Sequence, residues 1–197
     1  MTYKASIFCP YCHRFTALSV VLSIDGGNHT CVHKSEKNSK IWWMGMCNSC
    51  KEICLVVENG ERVFPHPLPT PTDERIPENL KNELDEAKTC FSVGAYRGCA
   101  VLARRVVQSC CIDKGSDNEK KLYQQINQLY ENRVITEDIK NWATTIRWIG
   151  NDAAHPTSNL VDKDEAEDVL KLAEQFLHIV YVTSAIAKER IKSRSEI

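Results

Sequence analysis

The chain has no excess of charge of either sign: 25 Lys and Arg residues stand against 26 Asp and Glu residues, a formal net charge of −1 at pH 7. A chain this close to neutrality is not a general polyanion binder, so any contact with nucleic acid has to come from a local patch. The hydrophobic content of 43% and the charged content of 26% exclude wholesale disorder. The length of 197 residues predicts one or two globular domains.

The sequence also lacks a hydrophobic run long enough to cross a membrane. Its longest weakly polar stretches, Phe15–Ile24 and Phe176–Ala187, have about ten to twelve residues, whereas a spanning helix needs roughly 20. The N-terminus has no basic segment followed by an apolar one, so we expect no signal peptide. We therefore expect a cytoplasmic protein without membrane contact, and cytoplasmic thiols stay reduced.

Cysteine, by contrast, is abundant: ten residues, six of them within residues 1–64. Two pairs form CxxC motifs, Cys9 with Cys12 and Cys47 with Cys50. Each motif lets two thiolates reach one ion from a tight turn, and two such motifs together predict a closed tetrahedral site for structural Zn²⁺.

Two other uses of these cysteines are weaker. A redox CxxC needs a βαβ context, which the surrounding pattern does not offer. A catalytic zinc keeps one open position and usually has histidine ligands. Nearby residues that could replace a ligand are Cys31, Cys54, His13, His29 and His33.

The pattern of the chain predicts three parts. Residues 1–64 contain short apolar, strand-like runs, residues 65–77 form a proline-rich linker that excludes a helix or a central strand, and residues 78–197 have helical periodicity. The predicted fold class is α+β, a small N-terminal β zinc ribbon followed by an all-α helical bundle. The predicted strands are Ser19–Ile24, His29–His33, Ile41–Met46, Ile53–Val57 and Arg62–Phe64, with turns at Asp25–Asn28 and Glu58–Glu61. The predicted helices are Glu78–Val93, Ala95–Ile112, Asn118–Glu131, one that starts after an N-cap at Thr136, and Asp164–Lys192.

The remaining cysteines and the paired tryptophans are expected to be structural. Cys90, Cys99, Cys110 and Cys111 lack metal-ligand spacing and are typical of small buried hydrophobic residues. The adjacent residues Trp42–Trp43 could stack on nucleic-acid bases, but packing in the core of the ribbon is the favoured interpretation.

The fourth helix carries a polar line, Arg147, Asn151 and His155, at spacing i, i+4 and i+8. On a helix these residues stack along one side, next to the apolar stripe that faces the bundle. Pro156 disfavours helical geometry at His155, so this histidine is expected at the helix C-terminus. Gly150 has no propensity reason to be in mid-helix, which suggests close approach by another helix or a ligand.

Arg, Asn and His together can act on a phosphodiester. Arginine binds phosphate oxygens bidentately, and histidine can move a proton near neutral pH. In RNA the 2′-hydroxyl is an internal nucleophile, so no metal ion is needed. Arg104 and Arg105 are candidates to extend the phosphate-binding face. The alternative interpretation is a structural network in which Arg147, Asn151 and His155 fix the end of the helix.

The chain resembles an uncharacterised family in which an N-terminal zinc ribbon is joined to a helical bundle and which is often fused to restriction endonucleases. The bundle is in turn similar to the HEPN superfamily (higher eukaryotes and prokaryotes nucleotide-binding). The segments that carry the resemblance are the two CxxC motifs, Val63-Phe64-Pro65, Glu86-Ala87, Ala95-Tyr96-Arg97, the stretch from Leu102 to Gln108, and the stretch from Ile146 to Pro156.

The HEPN resemblance implies an all-α bundle that forms a homodimer and acts as a metal-independent ribonuclease in defence or conflict. It implies His155 as the catalytic histidine, Arg147 as the phosphate-binding arginine and Asn151 as a polar helper. The chain departs from the HEPN pattern at Gly150, where an arginine is usual, and at Gln108, where a glutamate is common. These departures favour a second hypothesis, a non-catalytic module that dimerises and binds nucleic acid or a protein of a defence system.

Overall fold

The structure, a computed structural model, describes residues 3–22, 31–155 and 160–195. The chain divides into two compact units, Met1–Pro71 and Thr72–Ile197. The first unit is an antiparallel sheet and the second is entirely helical, which confirms the predicted α+β class with a β region followed by a helical bundle.

In its described residues the N-terminal unit is one six-stranded antiparallel sheet in the order β1-β2-β4-β5-β6, with β3 paired to β4. Its strands are β1 (Ala5–Phe8), β2 (Phe15–Val20), β3 (Val32–Lys34), β4 (Ile41–Cys47), β5 (Ile53–Val57) and β6 (Arg62–Phe64). Side chains alternate across the sheet, as strand geometry requires. The covered face forms a small core around Trp43, whose Nε1–H donates to the Glu58 carbonyl over 2.6 Å. Trp43 is thus a core residue, as predicted, while Trp42 stacks on Phe64 with 5.9 Å between ring centroids.

The strand predictions agree with the structure best near the end of the unit. The bounds of β5 and β6 are those expected, and the turn between them contains Gly60 at φ +100°. The strand predicted at Ser19–Ile24 was wrong in its start, because pairing with β1 begins β2 at Phe15. The last two residues of that predicted strand lie outside the described residues. The predicted turn at Asp25–Asn28 and the start of the strand at His29 lie outside the described residues.

The described residues of the helical unit form six α-helices and one π-helical segment. They are α1 (Glu78–Ser92), α2 (Tyr96–Asp113), α3 (Leu122–Glu131), α4 (Glu137–Ala154), α5 (Lys163–Leu177) and α6 (Ser184–Ser195), with a π-helical segment at His178–Thr183 that joins α5 to α6. Helix α2 is central and packs against α1, α3, α4 and α5. Its small buried residues, Cys99, Ala100, Ala103, Cys110 and Cys111, allow this close packing and confirm the structural role expected of these cysteines.

The predicted starts of α3 and α4 agree with the structure to different degrees. Helix α3 begins at Leu122 rather than Asn118, because Asp117 Oδ1 accepts the backbone N–H of Glu119 and holds the preceding residues in a turn. Thr136 occupies the N-cap position of α4, as expected, but its side chain forms no capping hydrogen bond.

One continuous helical stretch, Lys163–Ser195, is long and apolar enough to cross a membrane by length and composition. It is longer than the predicted apolar stretch because α5 and α6 are continuous through the π-helical segment. In its most apolar window 44% of the residues are buried. Val169, Phe176 and Leu177 of this stretch lie in the core of the bundle, whereas α6 buries none of its residues.

Candidate functional sites

The four cysteines of the CxxC motifs come together at one end of the sheet. Their Sγ atoms all lie within 4.8 Å of one another, with 3.7 Å between Cys9 and Cys50 and 3.9 Å between Cys12 and Cys47. A tetrahedral site with metal–sulfur bonds of ~2.3 Å has sulfur–sulfur edges of about 3.8 Å. The donor set therefore fits a closed, four-coordinate structural metal site.

Backbone N–H groups favour the thiolate form of Cys47, whereas burial opposes the thiolate form of Cys9. The N–H of Tyr11 points to Cys9 Sγ and the N–H of Cys50 to Cys47 Sγ, each over 3.4 Å. Burial acts to raise the pKa of Cys47, but the backbone N–H groups of Cys50 and Ser49, together with side-chain hydrogen bonds to Cys50 and Cys9, lower this pKa to about 6. Burial raises the pKa of Cys9 to about 12. Cys31 and Cys54 stay outside the cluster, so the CxxC pairs alone supply the four ligand atoms among the described residues.

The second candidate site is a seam between α2 and α4 in the helical unit. Gly150 makes the seam possible, because a Cβ at this position would lie 2.5 Å from Arg104 Cβ and 2.9 Å from the Ala100 carbonyl oxygen. The close approach expected at Gly150 is thus made by another helix, α2.

Two arginines lie near each other at this seam. Arg104 of α2 donates its Nε–H to Asn151 Oδ1 of α4 over 2.6 Å. Burial, and then the positive charge of nearby Arg147, lower the pKa of Arg104. The Nε atom of Arg147 is buried and has no hydrogen-bond partner. Among the residues that the structure describes, no carboxylate forms a salt bridge with either guanidinium, so neither of these half-buried cations has an ion-pair partner there.

His155 lies at the end of the polar line but not on the helix. It is the C-cap residue of α4, exposed, with φ −86° and ψ 134°, and so leaves the helical path as Pro156 predicts. Its carbonyl oxygen accepts a hydrogen bond from Nη2 of Arg97 over 3.0 Å. Arg147 and Asn151 thus share one face of α4, and His155 starts the segment that follows it.

Not every predicted residue joins this seam. Arg105 is exposed and forms an ion pair with Glu83 of α1 over 3.3 Å, so it points away from the Arg104–Arg147 pair. Arg97, in contrast, is a residue to which the sequence patterns assigned no role. It lies seven residues before Arg104, a spacing that places both arginines on the same face of α2. This spacing could have indicated from the sequence that Arg97 also faces α4.

The comparisons with known proteins identify the helical part of the chain. No curated protein and no solved structure matches it. A family model described as "Domain of unknown function (DUF4145)" matches residues 85–194, which include all of α2 to α5 and the whole α2/α4 seam. That match covers more than half of the chain, and the protein therefore belongs to the DUF4145 family.

Proposed function

We propose that the helical unit binds RNA by its phosphate groups at the α2/α4 seam and cleaves it without a metal ion. The observation that carries the proposal is the pair Arg104–Arg147, two half-buried cations without a carboxylate partner in the described part of the chain. Like charges in such a place are unfavourable, and an anionic ligand would neutralise them. The planar guanidinium group can donate two parallel hydrogen bonds to two oxygens of one phosphate. This match favours a phosphodiester over a small spherical anion as the ligand.

Cleavage would use the 2′-hydroxyl of the bound RNA. This oxygen attacks the adjacent phosphorus, and the bond from phosphorus to the 5′-oxygen breaks. His155 removes the proton from the 2′-hydroxyl while water protonates the departing 5′-oxygen, or His155 protonates the 5′-oxygen while water takes up the proton of the 2′-hydroxyl. Arg147 stabilises the negative charge of the transition state. Asn151 holds Arg104 in place through the 2.6 Å hydrogen bond. The products would be a 2′,3′-cyclic phosphate and a 5′-hydroxyl.

The N-terminal unit would be a zinc ribbon in this proposal. The ligands would be Cys9, Cys12, Cys47 and Cys50, because four thiolates in a closed cluster favour Zn²⁺. The ion supplies folding energy rather than chemistry, since no coordination position is left open for a substrate. The HEPN-like resemblance adds two further proposals, a homodimer and a role in bacterial or phage defence. The cytoplasmic location that the sequence composition led us to expect is also part of the proposal.

The second candidate function is a binding module without catalysis. It is favoured by the engagement of the polar line in structural contacts: Asn151 Oδ1 accepts from Arg104, and the His155 carbonyl accepts from Arg97. Gln108 on α2 also replaces the acidic residue that the HEPN pattern has there. In this case the arginine pair would hold RNA, and a partner protein would act on it.

Cleavage of labelled RNA separates the two candidates. Zinc-loaded wild-type protein, His155→Ala and His178→Ala are each incubated with single-stranded and structured RNA in buffer free of magnesium and EDTA. His178 is the matched control, since it is the other exposed histidine of the helical unit. The ribonuclease proposal expects cyclic-phosphate products from wild type and His178→Ala but not from His155→Ala. If wild-type protein binds RNA and leaves it intact, the binding module is the better description.

A further inference from the structure

We infer that Trp148 stacks against an unpaired base of the RNA whose phosphate lies at Arg104 and Arg147, so that the ligand is single-stranded. This inference rests on the proposed RNA-binding function and names the class of RNA that the site takes. It assigns a base-binding role to a residue next to the phosphate-binding pair.

Trp148 is the exposed one of the four tryptophans. Its side chain is 57% exposed, whereas Trp43 is buried, Trp42 is stacked on Phe64 and Trp142 packs against the core of the bundle. Trp148 follows Ile146 by two residues, about 200° around the helix, so it faces away from the side of α4 that enters the core. Packing inside this chain therefore gives no reason for a tryptophan here.

The ring lies beside the cationic pair. The Cζ atom of Arg147 is 5.7 Å from the centroid of the Trp148 ring, and more than half of the side chain is still exposed. Within one nucleotide, an anionic phosphate and a flat base lie only a few ångströms apart. An arginine next to an exposed aromatic ring matches both parts of such a unit, and proteins that bind single strands combine these two residue types.

The combination favours single strands over duplexes. In a duplex the bases are stacked on one another and paired, so their faces are closed to a protein side chain. In a single strand a base can turn out and lie on Trp148 while its phosphate contacts Arg147. A duplex would still contact the arginines by its backbone, but it would gain nothing from the tryptophan.

Trp148→Ala and Trp148→Phe test this in the full-length protein. Single-stranded and duplex RNA of equal length, fully 2′-O-methylated so that they cannot be cleaved, are titrated into wild type, both Trp148 variants and Arg147→Met. We expect Trp148→Ala to weaken single-strand binding about 10- to 100-fold, with duplex binding unchanged. Trp148→Phe should restore most of the affinity, and the quenching of tryptophan fluorescence by RNA should disappear in Trp148→Ala.

The outcomes separate the two proposals. If Trp148→Ala binds single strands as tightly as wild type while Arg147→Met does not, the stacking role is wrong and the phosphate site stands. If wild type binds neither RNA, both proposals are wrong. If Trp148→Ala changes the oligomeric state and leaves RNA affinity unchanged, the tryptophan belongs to an interface between two copies, which also overturns the inference. Unfolding temperatures check that each variant is folded, as expected for an exposed position.

Discussion

Arg104 and Asn151, 47 residues apart in sequence, are joined by a 2.6 Å hydrogen bond that links α2 to α4. The bond fixes one guanidinium group of the seam, and Gly150 lets the two helices come close enough to form it. Arg147, one helical turn before Asn151, adds a second cation with a buried Nε that lacks an acceptor. A seam built in this way is costly to the isolated protein, which is why we expect a ligand.

The cost predicts that removing Arg147 stabilises the ligand-free protein. Arg147→Met keeps an aliphatic side chain, removes a buried donor without an acceptor and ends the repulsion of Arg104. We expect the free energy of unfolding to rise by about 1 kcal/mol in phosphate-free buffer, as measured by urea denaturation. Arg105→Met, which only removes an exposed ion pair with Glu83, should change it by about 0.5 kcal/mol or less. A clear loss of stability in Arg147→Met would mean that the arginine is a structural residue.

Gly150→Ala should destabilise the helical unit. Alanine is about 1 kcal/mol better than glycine inside a helix, but the new Cβ would lie 2.9 Å from the Ala100 carbonyl, which is backbone and cannot turn aside. Overpacking of this kind costs about 1–3 kcal/mol, so we expect a net loss in thermal or urea unfolding. Gly98→Ala is the control, because its Cβ would meet the side chain of Cys90 at ordinary contact distances, 3.4 Å from Sγ and 3.8 Å from Cβ. An equal effect in both variants would contradict the close approach of α2 and α4.

Cys47→Ser should abolish metal binding by the N-terminal unit. The Cys47 thiol is one of four ligand atoms in a closed cluster, and the loss of one ligand opens the site. We expect about one Zn²⁺ per chain in the wild type and a large loss in the variant, measured by elemental analysis together with the circular dichroism of the sheet. Cys31→Ser serves as the control, since Cys31 lies outside the cluster. Unchanged zinc in Cys47→Ser would rule out the proposed ligand set.

The helical unit should lose stability in alkali because of its buried thiols. Burial raises the pKa of Cys99 and Cys110 from 9.0 to about 12, and it also raises the pKa of Cys111. Between about pH 9 and pH 12 the unfolded chain releases thiol protons that the folded chain keeps. The contribution of these thiols to the free energy of unfolding is therefore fully present below about pH 9 and is lost as the pH rises towards 12. The slope is at most about 1.4 kcal/mol per pH unit for each thiol.

Urea unfolding at several pH values above neutrality measures that slope. The double variant Cys110→Ala/Cys111→Ala is less stable overall because it leaves small cavities, but its stability should depend less steeply on pH. An identical pH dependence in the variant and the wild type would show that other groups cause the alkaline loss.

Local patterns predicted much of the fold and the cysteine cluster. Strands β5 and β6 have their expected bounds because the Asn59–Gly60 turn and the alternation of apolar residues are local signals. The two CxxC motifs likewise hold their ligand pairs within one turn each, so only the meeting of the two pairs depended on the sheet.

Contacts between distant segments were harder to predict. Strand β1 was not expected, because Ala5–Phe8 is short and is defined mainly by its pairing with β2. The periodicity of α4 placed Arg147 and Asn151 on one face, and Gly150 signalled a close neighbour. The sequence pattern could not show whether Arg104 or Arg105 faces α4, because the answer depends on the rotation of α2 about its own axis.

The salt dependence of RNA binding tests the arginine pair most directly. Wild type, Arg147→Met and Arg105→Met are titrated with 2′-O-methylated single-stranded RNA at several salt concentrations. If the seam holds a phosphate, Arg147→Met binds the RNA about tenfold or more weakly than wild type. A plot of the logarithm of its affinity against the logarithm of the salt concentration has a slope that is shallower by about one. Arg105→Met stays close to wild type in both affinity and slope. Equal affinity and equal slope in all three proteins would contradict a phosphate site between α2 and α4.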